Sequence, residues 1–151
     1  MEFDGNVVSV KLDPQFPDAV LPVRGSALSS GADAVAAKTV TIDPGEVEIV
    51  PTGWVLAYLD PKYEIQVRSR SGNTKKRMFV VANQPGTIDA DYRGPIGVMV
   101  FNISNRFRLT IEKGDKIAQL VVCPVTRMDW RKVEVVHATD RGAGGFGSTG
   151  R

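Results

Sequence analysis

Trp54-Val-Leu-Ala-Tyr-Leu59-Asp60-Pro-Lys-Tyr63-Glu-Ile-Gln-Val67 sets two short apolar runs on either side of an Asp60-Pro turn signal. Side chains of a strand point alternately to opposite faces, so Tyr63, Ile65 and Val67 share one side while Glu64 and Gln66 take the other. The same texture continues in both directions. Toward the N-terminus, Val8, Val10 and Leu12 alternate with Ser9 and Lys11, and Val47–Val50 forms a further run. Toward the C-terminus come Met78–Val81, Ile96–Phe101, Phe107–Ile111, Ile117–Val122 and Val133–Val136. Asp43-Pro-Gly, Gln84-Pro-Gly and Lys113-Gly-Asp separate them. Short β-branched runs spaced by about ten residues predict an all-β sandwich or barrel. Only Ser71–Lys76 has the character of a turn or two of helix. Trp54 and Trp130 flank strands, where a core or interface role is expected. So many strands leave edges to hide, and oligomerisation is one way to hide them.

A chain of 151 residues is long enough for one domain with a real core and too short for two comfortable ones. The net charge of +2 leaves no broad electrostatic footprint for nucleic acid or a membrane surface. Lys75-Lys76-Arg77 is the one basic run. A solvated turn is its first reading, nucleic-acid contact a weaker one, and a positive rim beside a phosphate site a third. Cys123 has no partner for a disulfide and is expected in the core. One His and one Cys cannot form a Cys/His metal cluster. His137 has no Ser–His–carboxylate grouping around it. With no signal peptide or long apolar run, a soluble, cytoplasmic protein is expected.

The polar clusters carry the chemistry. Gly86-Thr-Ile-Asp89-Ala-Asp91-Tyr92-Arg93-Gly94 is the densest. It reads either as a charged hairpin tip or as a carboxylate poised as a general base with Tyr92 as a flat wall; if it is extended, Asp89 and Asp91 share a face. Arg68-Ser-Arg70-Ser71-Gly72 joins a strand to the short helical stretch, where a guanidinium, a hydroxyl and free N–H groups suit an anion, or a simple helix cap. Ser29-Ser-Gly31-Ala-Asp33 is a small-residue turn with one carboxylate. Gln119 is the long polar residue on an apolar run and needs a partner, backbone or ligand. The last eleven residues, Arg141-Gly-Ala-Gly-Gly-Phe-Gly-Ser-Thr-Gly-Arg151, hold five glycines and a lone aromatic. So glycine-rich a segment has a high ordering cost and builds no core. Its Gly-x-Gly-x-x-Gly match lacks the preceding strand and following helix of a dinucleotide site. It is expected to be an arm that orders when it closes over a ligand.

Taken in order, Ser30-Gly-Ala-Asp33, Arg70-Ser-Gly72, Gly86 to Gly94, Gly114-Asp-Lys-Ile-Ala-Gln119-Leu and Arg141 to Gly150 form a series. It resembles the five ordered motifs of the trimeric dUTP pyrophosphatases, the dUTPases, from about Leu21 to the end of the chain. The third and fifth motifs are the most specific and the first is the weakest. The resemblance implies a distorted β-sandwich of jelly-roll, β-clip type, assembled as a homotrimer with active sites shared between subunits. It implies a β domain over residues 1–140 and a flexible arm over 141–151. It implies hydrolysis of dUTP to dUMP and pyrophosphate, which limits uracil in DNA and supplies dUMP for thymidylate synthesis. Mg²⁺ is the implied cofactor, carried on the triphosphate; neither nucleic acid nor membrane is an implied partner.

Residue by residue, the resemblance makes Asp89 the group that deprotonates the attacking water and meets the ribose 3′-hydroxyl. Asn83 to Gly97 become the uracil-binding hairpin, with Asn83, Thr87, Ile88, Tyr92 and Gly97 against the nucleoside and Tyr92 under the deoxyribose. Arg70, Ser71 and Gly72 match the phosphate motif, with Ser71 on the oxygen bridging the α- and β-phosphates. Gln119 reaches the phosphates, and Asp33 holds a water of the Mg²⁺ shell. In the arm, Phe146 stacks over uracil, while Arg141, Gly147, Ser148 and Thr149 meet the nucleotide. Four positions depart from the family pattern: Ala32 for an aromatic, Ser69 for a proline, Asn73 for a leucine and Lys116 for an arginine. The dCTP deaminases share the fold, but Tyr92 and Gly145 to Gly150 favour the pyrophosphatase. Intact Asp89 and Ser71 argue against a purely regulatory nucleotide switch.

Overall fold

A computed structural model describes residues 7–145. Its elements run β1 (Ser9–Leu12), β2 (Val23–Arg24), β3 (Ala32–Val35), β4 (Val40–Ile42), β5 (Val47–Tyr58), β6 (Tyr63–Arg68), α1 (Ser71–Arg77), β7 (Phe79–Val81), β8 (Gly86–Ile88), β9 (Pro95–Asn102), β10 (Leu109–Ile111) and β11 (Lys116–Pro124). One sheet has the order β1-β5-β9-β7, a second the order β2-β3-β11-β6-β8, and β10 pairs with β4 in a third. All the described pairings are antiparallel.

The alternation that identifies the strands also builds the core. On β9 every second side chain is buried: Ile96, Val98, Val100 and Asn102. The first three join Trp54 and Leu56 of β5, Phe79 and Val81 of β7, Ile65 and Val67 of β6, and Ile117 and Leu120 of β11 in one cluster. Each large apolar side chain so buried contributes about 1.5–3 kcal/mol. Asn102 is the polar one of the four, and its groups are used: Nδ2 donates to the carbonyls of Ile42 and Phe107 at 3.1 and 2.9 Å, and Oδ1 accepts from Ser104 N–H at 3.0 Å. A buried amide with its bonds made ties β9 to β4 and to the loop before β10 instead of destabilising them.

Several elements differ from the sequence pattern. Val47–Val50 and the run from Trp54 as far as Tyr58 belong to one long strand, β5, whose register shifts between Pro51 and Val55. Gly53 lies inside that irregularity at φ +80°, a conformation a glycine adopts without steric cost. Met78 is not a strand residue: it closes α1 in the left-handed region at φ 55°. Val133–Val136 forms no strand among the described residues, and Val133, Val135 and Val136 are exposed. Trp54 is buried, whereas Trp130 is 98 % exposed. Cys123 is half-buried near the end of β11, with its Sγ 3.5 Å from Arg68 Nη2, and is not a core residue. Lys75, Lys76 and Arg77 occupy the last turn of α1, where cations complement the helix dipole. Arg77 pairs with Asp115 at 2.8 Å, and Lys76 and Arg77 line a small cleft with Phe107.

Candidate active site

The residues expected to hold phosphate converge. Asp33, Arg70, Ser71, Gly72 and Gln119 line one cleft of about 480 Å³. Three elements place them. Asp33 sits on β3 directly opposite Gln119 of β11. Gln119 is opposite Arg68, at the end of β6. The chain then leaves the sheet, with Arg70 extended at the N-cap and Ser71 and Gly72 opening α1. The first N–H groups of a helix have no acceptor within it, and no acidic residue stands in this first turn. A hydroxyl, a guanidinium and free N–H groups thus face one concavity.

Asp33 is more engaged than its motif suggested. Its Oδ1 is 2.8 Å from Arg70 Nε, its Oδ2 is 2.8 Å from Lys116 Nζ, and its side chain is 16 % exposed. The carboxylate is shielded, but Lys116 is 54 % exposed, so solvent screens that pair more than the one with Arg70. Gln119 donates from Nε2 to Ser69 O at 3.0 Å. It thus braces the phosphate loop while lining the cleft.

The nucleoside residues gather in a second cleft of about 230 Å³, lined by Asn83, Gly86, Thr87, Ile88, Tyr92 and Gly97 together with Ile49 and Met99. The expected hairpin is instead a crossover: β8 pairs with β6 and β9 lies between β5 and β7, so the chain passes here from one sheet to the other, and the passage is tight. A Cβ on Gly86 would lie 3.2 Å from Asn83 Nδ2, and one on Gly97 would lie 2.5 Å from Ile49 Cγ2. The Tyr92 ring covers Gly94, and its hydroxyl donates to Pro95 O at 3.2 Å. Such a flat wall beside a narrow, backbone-rich slot suits a planar ring better than a bulky group.

Asp89 lies elsewhere. It is exposed, follows β8, and lines a third cleft of about 460 Å³ with Tyr63, Asp91, Arg93 and Arg127. Asp89 and Asp91 are not on one strand face, because Tyr92 N–H donates to Asp89 O at 3.1 Å and closes a turn over them. The three clefts share no lining residue: Ser71 belongs to the first and Asp89 to the third. Arg141 lines none of them: its Nε donates to Gly144 O at 3.0 Å within its own turn. Phe146, Gly147, Ser148 and Thr149 lie outside the described residues.

Sequence reasoning passed over Gly25 and read Ser29, Ser30 and Gly31 only as a small-residue turn; all four line the first cleft. A Cβ on Gly31 would be 2.9 Å from Gln119 Oε1, a packing reason for glycine that only the β3–β11 pairing makes visible. The departures from the motif pattern have local partners. Ser69 Oγ accepts Val81 N–H at 2.8 Å, Lys116 pairs with Asp33, and Asn73 is buried and bonded to Lys116 O at 2.9 Å. Ala32 lines an apolar cavity beside Trp54 and Leu120.

No group of three or more His, Cys, Asp or Glu side chains among the described residues forms a metal cage. Mg²⁺ needs none when phosphate and water supply most of its oxygens. One carboxylate with spare lone pairs beside a phosphate cleft fits a cation that arrives on its substrate.

The family model described as dUTPase matches residues 18–150. The deoxyuridine 5′-triphosphate nucleotidohydrolase of Desulfotalea psychrophila is 48% identical over 132 residues, covering 86% of this chain and 87% of that protein. A mutant of the Staphylococcus bacteriophage 80alpha dUTPase, solved with dUpNHpp, has a TM-score of 0.85 at 28% identity and covers 97% of this chain and 99% of its own. A mutant dUTPase from phage phi11 of S. aureus, whose structure describes the coordination of a structural Mg(II) ion, has a TM-score of 0.76 at 25% identity over 88% of this chain and 100% of its own.

Proposed function

Because the chain belongs to the dUTPase family and is a dUTP nucleotidohydrolase, we propose how its own residues divide the reaction. The observation that carries the reading is the convergence of Arg70, Ser71, Gly72, Gln119 and Asp33 on one cleft, separate from the nucleoside slot. The slot takes the uracil and deoxyribose, with Asn83 and the crossover backbone reading the base edge and Tyr92 against the sugar. A site whose polar groups pair with one base edge rejects a base that leaves them unpaired by about 10⁴-fold. Gly97 keeps the slot narrow.

The triphosphate lies along the first cleft. Asp89 accepts a proton from a water, whose oxygen attacks the α-phosphorus in line. The bond from that phosphorus to the bridging oxygen breaks, giving dUMP and pyrophosphate. Ser71 donates to the bridging oxygen, where negative charge develops, and Arg70 and Gln119 hold the neighbouring phosphate oxygens. One well-placed donor at such a point lowers the barrier by about 3 kcal/mol. Mg²⁺, when bound, neutralises charge on the triphosphate, and Asp33 is the residue placed to hold a water of its shell.

The full site is assembled between subunits of a homotrimer, so that Asp89 of one copy meets the phosphate cleft of another. The disjoint clefts support this reading, as do Val47, Ile49 and Met99, which lie exposed on β5 and β9. Residues 141–151 act as an arm over the nucleotide, with Phe146 on the base and Arg141, Gly147, Ser148 and Thr149 on the rest, and residues 1–140 form the domain beneath. We place the enzyme in the cytoplasm, limiting uracil in DNA and supplying dUMP for thymidylate synthesis. No helix among the described residues is long and apolar enough to cross a membrane.

The test is product analysis with an Asp89→Asn variant. Wild-type protein is expected to release pyrophosphate from dUTP and no ammonia from dCTP. Asp89→Asn is expected to bind dUTP with near wild-type affinity in calorimetry and to lose turnover. Wild-type turnover in that variant refutes the role given to Asp89.

A further inference from the structure

Asn73 is polar, sits inside a helix and is 6 % exposed. Asparagine is a poor helix former because its amide competes for nearby backbone groups, so this placement calls for a compensating partner. Nδ2 donates to Lys116 O at 2.9 Å and lies 3.4 Å from Ile117 O. Both carbonyls belong to the irregular start of β11. The register with β3 shifts between Lys116 and Ala118, and the ladder with β6 begins only at Gln119, opposite Arg68. Had β6 continued, residues 70 and 71 would have faced residues 117 and 116. The chain turns into α1 at that point, and the Asn73 amide stands in for the main-chain donors that the sheet loses.

That tie has a second anchor on the other side of the phosphate motif. Gln119 Nε2 holds Ser69 O at 3.0 Å. Ser71 and Gly72 therefore span the gap between two points fixed to the same strand, one through Ser69 and one through Asn73. Arg70 is fixed within the same span by Asp33 at 2.8 Å. Neither Asn73 nor Ser69 lines the cleft, so Asn73 acts on the substrate only through its neighbours.

We propose that Asn73 is a positioning residue for the hydrolysis, holding Ser71 Oγ in register with the oxygen that bridges the α- and β-phosphates by tying the first turn of α1 to the start of β11. This rests on the role given to Ser71 above. A loop freed at one end still presents its charges to the triphosphate, so ground-state binding is largely kept. The geometry needed at the breaking bond is what suffers, and a displacement of a donor by about 1 Å costs on the order of a hundredfold in rate.

The experiment is a double-mutant cycle of Asn73→Leu and Ser71→Ala, read by steady-state turnover of dUTP and by dUMP binding. Asn73→Leu keeps the branching at Cγ in a somewhat larger side chain, puts back the residue of the family pattern, and removes the amide that the Lys116 and Ile117 carbonyls use in this chain. It is expected to lower kcat by about tenfold to a hundredfold with KM changed by less than about threefold. Affinity for dUMP, which has no bridging oxygen, is expected to stay at the wild-type value. In the Ser71→Ala background the same change is expected to cost little more, because a residue that acts through Ser71 has nothing left to position. An equal loss in both backgrounds overturns the proposal, as does a wild-type kcat in folded Asn73→Leu. Wild-type turnover in Ser71→Ala alone removes the Ser71 assignment and this inference with it. If Asn73→Leu does not fold, Asn73→Gln carries the same cycle. It keeps the donor on an arm one methylene longer, and the same non-additive fall in kcat is expected.

Discussion

Gly97 sets the width of the nucleoside slot. A Cβ there would stand 2.5 Å from Ile49 Cγ2, closer than carbon atoms tolerate, and that branch is held close to the β5 backbone. Gly97→Ala is thus expected to cost about 1–3 kcal/mol of stability through overpacking. Its methyl and the displaced isoleucine narrow the slot, so KM for dUTP is expected to rise several-fold with kcat retained, the signature of lost uniform binding. Steady-state kinetics beside a thermal melt check this, and a fall in kcat at unchanged KM contradicts it. The polar cluster from Gly86 to Gly94 was legible in the sequence because its signals are local: turn residues, carboxylates and an aromatic within a short span. The ion pairs of Asp33 were not. They join residue 33 to residues 70 and 116, and nothing in a linear pattern says which strands lie side by side. Lys116 looked like a departure from a motif when its partner was still unknown.

Among the elements, β5 shows best how backbone and packing decide together. The two runs on either side of Gly53 looked like separate strands, because a glycine and a proline interrupt the apolar pattern. The structure passes a single strand through them, with the extra twist of a bulge. Gly53 sits at φ +80°, and a Cβ on it would fall 2.5, 2.8 and 3.0 Å from the Cβ atoms of Ala19, Phe16 and Ala37. Those atoms are fixed to backbone and cannot rotate away. Gly53→Ala therefore combines strain in φ with overpacking, each worth about 1 kcal/mol or more, and is expected to destabilise the fold by at least about 2 kcal/mol in urea unfolding. A loss below about 0.5 kcal/mol shows that the bulge relaxes. Strands β2, β3, β4 and β8, of two to four residues each, escaped the sequence pattern because alternation needs more residues to show. Val133–Val136 errs the other way: its alternation marks a segment competent to pair, and pairing also requires a free edge within reach.

At the scale of the whole molecule, the three clefts assigned above are each lined by different residues of one chain. The proposed chemistry needs the water-activating carboxylate within reach of the α-phosphorus; if other copies bring the clefts together as proposed, a trimer mass in solution is expected at assay concentration. Truncation before Arg141 is expected to leave the melting temperature within about 2 °C, since a turn closed on itself adds little to the core. The same truncation is expected to lower dUTP turnover sharply, because an open site admits water. The sharper test of assembly uses two inactive variants, Ser71→Ala and Asp89→Asn, unfolded together at equal concentration and refolded. If each site takes Ser71 from one copy and Asp89 from another, random assortment leaves about a quarter of the sites with both groups intact, as expected for a heterologous interface within a closed ring. Activity should return to about that fraction of the wild-type value. If both groups served within one chain, no combination of the two variants could restore a complete site, and the refolded mixture would stay as inactive as its components.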